Sequence, residues 1–324
     1  MAAAARSEVP VEIIDLRHFT SAEMRPLLEL ETQAWGRLLA WDYRSSAEMI
    51  LRYIDAKILP GYAATDSRGI RGYSFFVYEG AKGVIGDLFV ANGGDPAVTG
   101  GLEQRLLTHV IETLQRSPGV HRIESQLLVH GTGAVARPFQ QTGFLRHPRL
   151  FMVLPVGNGR AVRPSTPANL EIRPWEEHDF QAAASVITAA YRGHIDSEIN
   201  DQYRSLGGSL RFLNNIVRFP GCGFFDAESS FVALDRVSRA TVGVLLCSRV
   251  RDDVGHVTQV CVVPELRGKG LGEALIAACV GNLARRQFSK LSLTVTEANT
   301  RAVKLYERLG FETKRVFDAF VWEG

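Results

Sequence analysis

Over residues 264–275 the chain reads PELRGKGLGEAL, with Gly268, Gly270 and Gly272 set beside two cations, Arg267 and Lys269. A strand-like apolar run, TQVCVV, precedes it, and a helix-like run, LGEALIAACVGNLARR, follows. A strand, a glycine turn and a helix in that order aim the unpaired N–H groups of the helix at one point, with the positive end of its dipole behind them. This is an anion site suited to a pyrophosphate, and Arg267 and Lys269 add charge at its rim. Glycine suits such a turn because a Cβ would obstruct close approach and because positive φ can be required. The Walker pattern fails, since Gly270 rather than Ser or Thr follows Lys269. The dinucleotide fingerprint meets Glu273 at its third glycine, although Glu297 stands where that fold keeps its ribose-binding acid. A tight turn whose glycines serve only packing is the plain alternative.

A second segment, NTRAVKLYERLGF, begins at Asn299. Asn299 suits an N-cap, Ala302, Leu305, Tyr306 and Leu309 share one helical face, and Gly310 is a natural stop.

The elements that must hold these segments recur in one order in both halves of the chain. Each half opens on a strand (VEIIDL; LEIRPW) and passes through helical stretches containing YRS. Paired β-rich runs follow, then a glycine-containing turn and an amphipathic helix. That helix carries Leu102, Leu106, Val110 and Leu114 in one half, and Leu271, Leu275, Cys279 and Leu283 in the other. A further strand, a Gly-Phe pair (Gly143-Phe144; Gly310-Phe311) and a last strand close each half. The order implies an internal duplication: a first domain over 1–154, a Pro- and Gly-rich linker over 155–168 and a second domain over 169–324. Helices fall between particular strands, so each half is expected to be a mixed α/β domain, with helices flanking a central mixed sheet.

Composition narrows the function. With 324 residues, 46% of them hydrophobic, the chain has ample core for two domains. It has no apolar run near the ~18 residues of a membrane span, and its MAAAARSEVP start is too short to be a signal peptide. A cytoplasmic location is expected. The net charge of +2, without blocks of like charge, gives no reason to expect nucleic acid as a partner. Cys222, Cys247, Cys261 and Cys279 are unclustered and lie among apolar neighbours, so small core residues are expected rather than a metal site or disulfides.

Taken together, VVPELRGKGLG and NTRAVKLYERLGF resemble the signature motifs of the GNAT superfamily of acyl-CoA-dependent N-acyltransferases, over about residues 170–324. The first half resembles the family only in layout, and tandem arrangements are known there, enzymes of thiol biosynthesis included. The resemblance implies that Arg267, Gly270 and Gly272, with Gly268, Lys269 and Leu271 between them, hold the pyrophosphate of an acyl-CoA co-substrate, acetyl-CoA or another. It places Asn299 in the same cofactor-binding set. It also implies that the pantetheine arm pairs with the backbone of Val260, Cys261 and Val262, where this strand splays from the one at 291–296. Tyr306 would protonate the departing thiolate.

The base is a gap. A lysine-like amine, with an ordinary pKa of about 10.4, must lose a proton before attack, and Thr258 and Gln259 stand where many relatives carry a carboxylate. His256, Glu297 and Asp252 or Asp253 are the substitutes, with His256 the first choice because imidazole titrates in the useful range. Aligning the halves matches Gly101 to Gly270, Val98 to Arg267, Glu103 to Gly272 and Phe139 to Tyr306. The first domain is therefore expected to be silent, with a carboxylate where pyrophosphate would sit. Asp196, Glu198 and Asp201 are available to attract a cationic acceptor.

The reading is an N-acetyltransferase acting on the primary amine of a small-molecule or peptide acceptor. The alternative is a non-catalytic acyl-CoA-binding or scaffold module.

Overall fold

A computed structural model describes residues 11–92, 95–157, 168–218 and 223–324. The N-terminal stretch 1–10, most of the expected linker and Cys222 lie outside the described residues. The first half contains β1 (Glu12–Asp15), α1 (Ser21–Leu39), α2 (Arg44–Asp55), β2 (Gly61–Asp66), β3 (Gly69–Glu79), β4 (Lys82–Val90), α3 (Pro96–Arg116), β5 (Arg122–Gln126), α4 (Ala136–Gln141) and β6 (Leu145–Pro155). The second contains β7 (Leu170–Pro174), α5 (Phe180–Tyr191), α6 (Ile195–Ile199), α7 (Leu206–Arg218), β8 (Phe224–Phe225), β9 (Phe231–Asp235), β10 (Thr241–Arg251), β11 (Val254–Val262), α8 (Leu271–Arg285), β12 (Lys290–Thr296), α9 (Thr300–Leu309) and β13 (Glu312–Glu323). No helix among the described residues is long and apolar enough to cross a membrane.

Two compact units form, and their limits do not follow the linear split. The first takes residues up to 35, 44–146 and 318–324; the second takes 36–43 and 147–317. In the first unit the strand order is β1-β2-β3-β4-β5, closed by residues 319–323 of β13, antiparallel to β5. In the second it is β12-β11-β10-β9-β7, with β8 on β10, and residues 149–155 of β6 lie antiparallel to β12 on the other side. Each unit's sheet is thus closed by a strand from the other half of the sequence.

The duplication is visible in the pairing itself. β3 and β4 slip register at Phe75/Phe76, with Phe75 opposite Asp87; β10 and β11 slip at Leu246/Cys247, with Leu246 opposite Gln259. In each unit a parallel ladder, β4 with β5 or β11 with β12, stops at this bulge: Ile85 with Ser125 in one, Val257 with Leu293 in the other. A bulge re-aims its strand and ends pairing, so beyond it the parallel strands separate.

The second unit's sheet is covered on both faces. Leu271, Leu275, Cys279 and Leu283 of α8 pack on Leu245, Val257 and Leu293; Ala183, Ala184, Ile187 and Leu213 of α5 and α7 pack on Val244, Leu246 and Cys261. The expected α3 face, Leu102 through Leu114, is likewise buried. Cys247, Cys261 and Cys279 are free, buried thiols.

One local expectation changes. Gly101 is not in a turn, because α3 starts earlier than the alignment placed it. The Asp95 carboxylate accepts the Ala97 N–H at 2.9 Å and Pro96 occupies the first helical turn, so Gly100 and Gly101 fall inside the helix.

Candidate active site

The glycine turn takes the geometry its residue types suggest. Gly268 and Gly270 have φ of +78° and +80°, a region an L side chain enters only with strain. Gly270 is the N-cap of α8, so the helix starts on a backbone that carries no Cβ. A Cβ on Gly268 would stand 2.7 Å from Arg301 Nη2, while one on Gly270 would meet nothing within 4 Å. Conformation alone therefore demands glycine at 270. Arg267 donates to the Ala190 carbonyl oxygen, tying the turn to α5.

Beside the turn, β11 offers an open edge. The Val263 N–H donates to Val242 O at 2.9 Å. Alternation along a strand then sends the backbone groups of Cys261 toward β10, and those of Val260 and Val262 away from it, into the gap left by β12. Val260 and Val262 make no backbone hydrogen bond on that side among the described residues.

A cavity of about 640 Å³ joins these features within the second unit. Its walls include Val260, Cys261, Val262, Arg267, Gly268, Gly270, Leu271, Gly272, Asn299 and Tyr306, all anticipated from sequence. Asn299 caps α9, its Oδ1 accepting the Ala302 N–H at 3.3 Å, and Gly310 (φ +95°) ends that helix. Tyr306 is 8% exposed. Burial, helped by the negative charge of Asp196, holds its proton on well above the ordinary tyrosine value, so the phenol is a donor throughout the neutral range.

Other expected residues lie elsewhere. Lys269 is exposed and outside the cavity walls. Glu297 is also exposed and outside them, and Asp253 pairs with Arg251 at 2.6 Å. His256, the first choice for a base, is a core residue: it is 5% exposed, its Nδ1 lies 2.9 Å from Ser292 Oγ, and its ring meets Trp41 at 4.7 Å. Burial, with Arg149 nearby, pushes its pKa down to about 3. With both faces of β11 covered, a histidine at the start of the strand has no route to the cavity.

Sequence reasoning missed a polar lobe. Tyr191 donates to Gln259 Oε1 at 3.0 Å and stacks on Tyr203 at 4.4 Å. His194 and Asp196 line the same lobe, as does Arg149 from β6. Of the three acids expected to attract an amine, Asp196 lines the cavity, whereas Glu198 pairs with Arg204 at 3.0 Å. Arg149 could not be assigned from sequence, because its strand lies before the linker.

In the first unit the equivalent place is filled by the chain itself. Ala91 N–H donates to Arg71 O, so Leu88, the counterpart of Val260, also faces away from its antiparallel neighbour. Its N–H donates to Asp87 Oδ1 at 2.8 Å, and its carbonyl lies 2.8 Å from His130 Nε2. The other ring nitrogen of His130 is 3.5 Å from Glu103, whose carboxyl is pushed up by burial.

A bulged sheet with splayed parallel strands, a glycine turn and a helix behind it is the architecture of GCN5-related N-acetyltransferases. The chain is similar to one from Sphaerobacter thermophilus (TM-score 0.66, 18% identity, covering 97% of this chain and 96% of that one). It is also similar to a tandem GNAT protein from the clavulanic acid biosynthesis pathway (TM-score 0.59, 13% identity, 97% and 98% covered). These likenesses concern the fold. In sequence, residues 197–311 match the Acetyltransferase (GNAT) family. The chain is 27% identical over 212 residues to a mycothiol acetyltransferase of Renibacterium salmoninarum, a match that spans 62% of this chain and 58% of that relative. In sequence the GNAT match thus covers residues 197–311, and in fold the whole chain is similar to solved GNAT proteins.

Proposed function

We propose that the second unit transfers an acetyl or other short acyl group from coenzyme A to the primary amine of a small-molecule acceptor, by direct attack on the thioester. The observation that carries the reading is the convergence of the glycine turn, the open edge of β11 and Tyr306 on one cavity. In this reading the pyrophosphate sits on the N-terminus of α8, between backbone N–H groups and Arg267. The pantetheine arm pairs with Val260 and Val262, and an N–H of that edge polarises the thioester carbonyl. Tyr306 gives its proton to the departing sulfur.

The name of the relative from Renibacterium salmoninarum makes a mycothiol-related amine the first acceptor to try. The polar lobe of Tyr191, Gln259, His194 and Asp196 supports a small polar acceptor over an apolar one. The test pairs calorimetry with turnover. Acetyl-CoA is expected to bind once per chain, and Tyr306→Phe to lower kcat by about 100-fold with acetyl-CoA affinity unchanged. Turnover undiminished in Tyr306→Phe would remove the tyrosine from the chemistry, and absence of acetyl-CoA binding would remove the reading itself.

A further inference from the structure

The polar lobe holds a buried donor that the chain itself does not use. Gln259 is 5% exposed and lines the cavity. It stands at the bulge of β11, one residue before Val260, and its side chain meets α5, where its Oε1 accepts from the Tyr191 hydroxyl at 3.0 Å. Among the described residues its Nε2 has no hydrogen-bond partner. Burial holds the Tyr191 proton on well above the ordinary tyrosine value, and the ring is fixed by its stack on Tyr203. Turning the amide over would strand that proton, so Nε2 is the end presented to the cavity. The surrounding acceptors are committed elsewhere. Thr258 is turned back on the bulge, its hydroxyl donating to Leu246 O at 3.2 Å, and Asp196 Oδ1 accepts from Thr296 Oγ1. Arg149 adds a second donor group to the same lobe, its Nη2 lying 3.4 Å from Thr294 Oγ1. A buried amide donor without a partner loses its hydration and gains nothing in return, which a fold tolerates where a ligand supplies the missing oxygen.

We propose that Gln259 is a specificity-determining residue whose amide donates to an oxygen on the carbon next to the amine-bearing carbon of the acceptor; this rests on the acyl-transfer reading above. The placement follows from position along β11. Val260 offers the edge on which that reading lays the thioester, and the reacting nitrogen must come within about 3–3.5 Å of the thioester carbon. Gln259 is the chain neighbour of Val260, so a group that reaches Nε2 lies close to that nitrogen, on the α5 side of the sheet. A hydroxyl or carbonyl oxygen there completes the amide, whereas a methylene leaves Nε2 buried and unpaired. A site built to pair with a substrate oxygen rejects the analogue lacking it for that reason. The acceptors so defined are 2-amino alcohols and α-amino carbonyl compounds rather than plain alkylamines. Tyr191 is the positioning residue, because its proton decides which end of the amide faces the acceptor.

The assay is acetyl-CoA cleavage with ethanolamine, 2-methoxyethylamine, glycinamide and propylamine as probe amines, with acetyl-CoA calorimetry on each protein as the check that the site is formed. The wild type is expected to favour the oxygen-bearing amines over propylamine in kcat/KM. Gln259→Met keeps the length of the side chain and removes the donor, so that preference should fall by about 10-fold. Each amine is compared between proteins, which cancels the differences in amine basicity. The methyl ether has lone pairs but no proton, so a preference that extends to it identifies the protein as the donor; ethanolamine against glycinamide separates a hydroxyl from a carbonyl source. Tyr191→Phe keeps the stack on Tyr203 and frees the amide to turn, and should lower the preference by about 3-fold. If Gln259→Met fails to bind acetyl-CoA, Tyr191→Phe reads the same ratio. An equal fall for oxygen-bearing and plain amines, or a wild type that acetylates propylamine as well as the others, would overturn the proposal and leave acyl transfer intact. A wild-type protein that binds acetyl-CoA yet acetylates none of the probes would overturn both.

Discussion

Leu88 and Val260 hold the same place on the same strand of two duplicated units, and their surroundings differ in kind. Around Val260 the open backbone edge borders a cavity that begins at a left-handed glycine turn. Around Leu88 both backbone groups are already bonded, to Asp87 and to His130, and the helix behind starts on an Asp-Pro cap rather than on glycine. The bulge and the splayed strands are common to both units. The comparison teaches that the fold supplies an exposed edge, and that a few side chains decide whether a ligand or the chain itself satisfies it.

The sharpest way to break the comparison is Gly270→Glu. It strains a left-handed position and sets a carboxylate at the anion site, so acetyl-CoA affinity should fall by about 100-fold or more, read by calorimetry. The first unit should not compensate.

The aligned glycines offer a paired test by thermal unfolding. Gly270→Ala should destabilise by about 1–2 kcal/mol because of its φ. Gly101→Ala, inside a helix with nothing within 4 Å of a new Cβ, should stabilise by about 0.5–1 kcal/mol. The same substitution at matched positions thus has opposite signs.

A smaller effect is expected at Glu31. The position that Gln259 occupies in the second unit is taken in the first by Asp87, and buried Glu31 lies beside it, accepting from Tyr73 at 2.6 Å. Burial, with the negative charge of Asp87, pushes Glu31 well above its ordinary value of 4.5. A raised carboxyl contributes its full stability below that ordinary value and loses it as pH rises toward the folded-state value. Glu31→Gln should therefore raise the melting temperature, more at pH 8 than at pH 5. An equal change at both would mean that Glu31 is ionised in the fold.

The smallest effect is a predicted absence. Opening the first unit with His130→Gly and Glu103→Ala should leave acetyl-CoA stoichiometry at one per chain, because the Asp95-Pro96 helix start remains. A second site would make the plug, rather than the helix start, the cause of silence.

What was legible in the sequence was local. The glycine turn, the capped α9 and the buried faces of α3 and α8 each depend on residues a few positions apart, whose spacing fixes their geometry. What was not legible depended on partners far along the chain. His256 reads as a strand-start histidine until Phe151 and Trp41, both from the first half, are seen to enclose it. His194 and Asp196 find their partners in Asn299 and Thr296, each about a hundred residues distant. Gly101 misled because a cap and a proline upstream outweighed the pattern of the aligned turn.

The exchange of closing strands bears on how such a chain can evolve. Residues 149–155, encoded before the linker, contribute Leu150, Met152 and Leu154 to the core of the second unit, and Arg149 to its cavity. Residues 319–323, from the second half, complete the first unit's sheet. A gene shortened to either half would leave one sheet lacking a strand and carry another with no sheet to join. Substitutions at the ligand-facing positions of one copy leave that arrangement intact, whereas loss of the copy does not, because each unit is folded partly from the other half's residues.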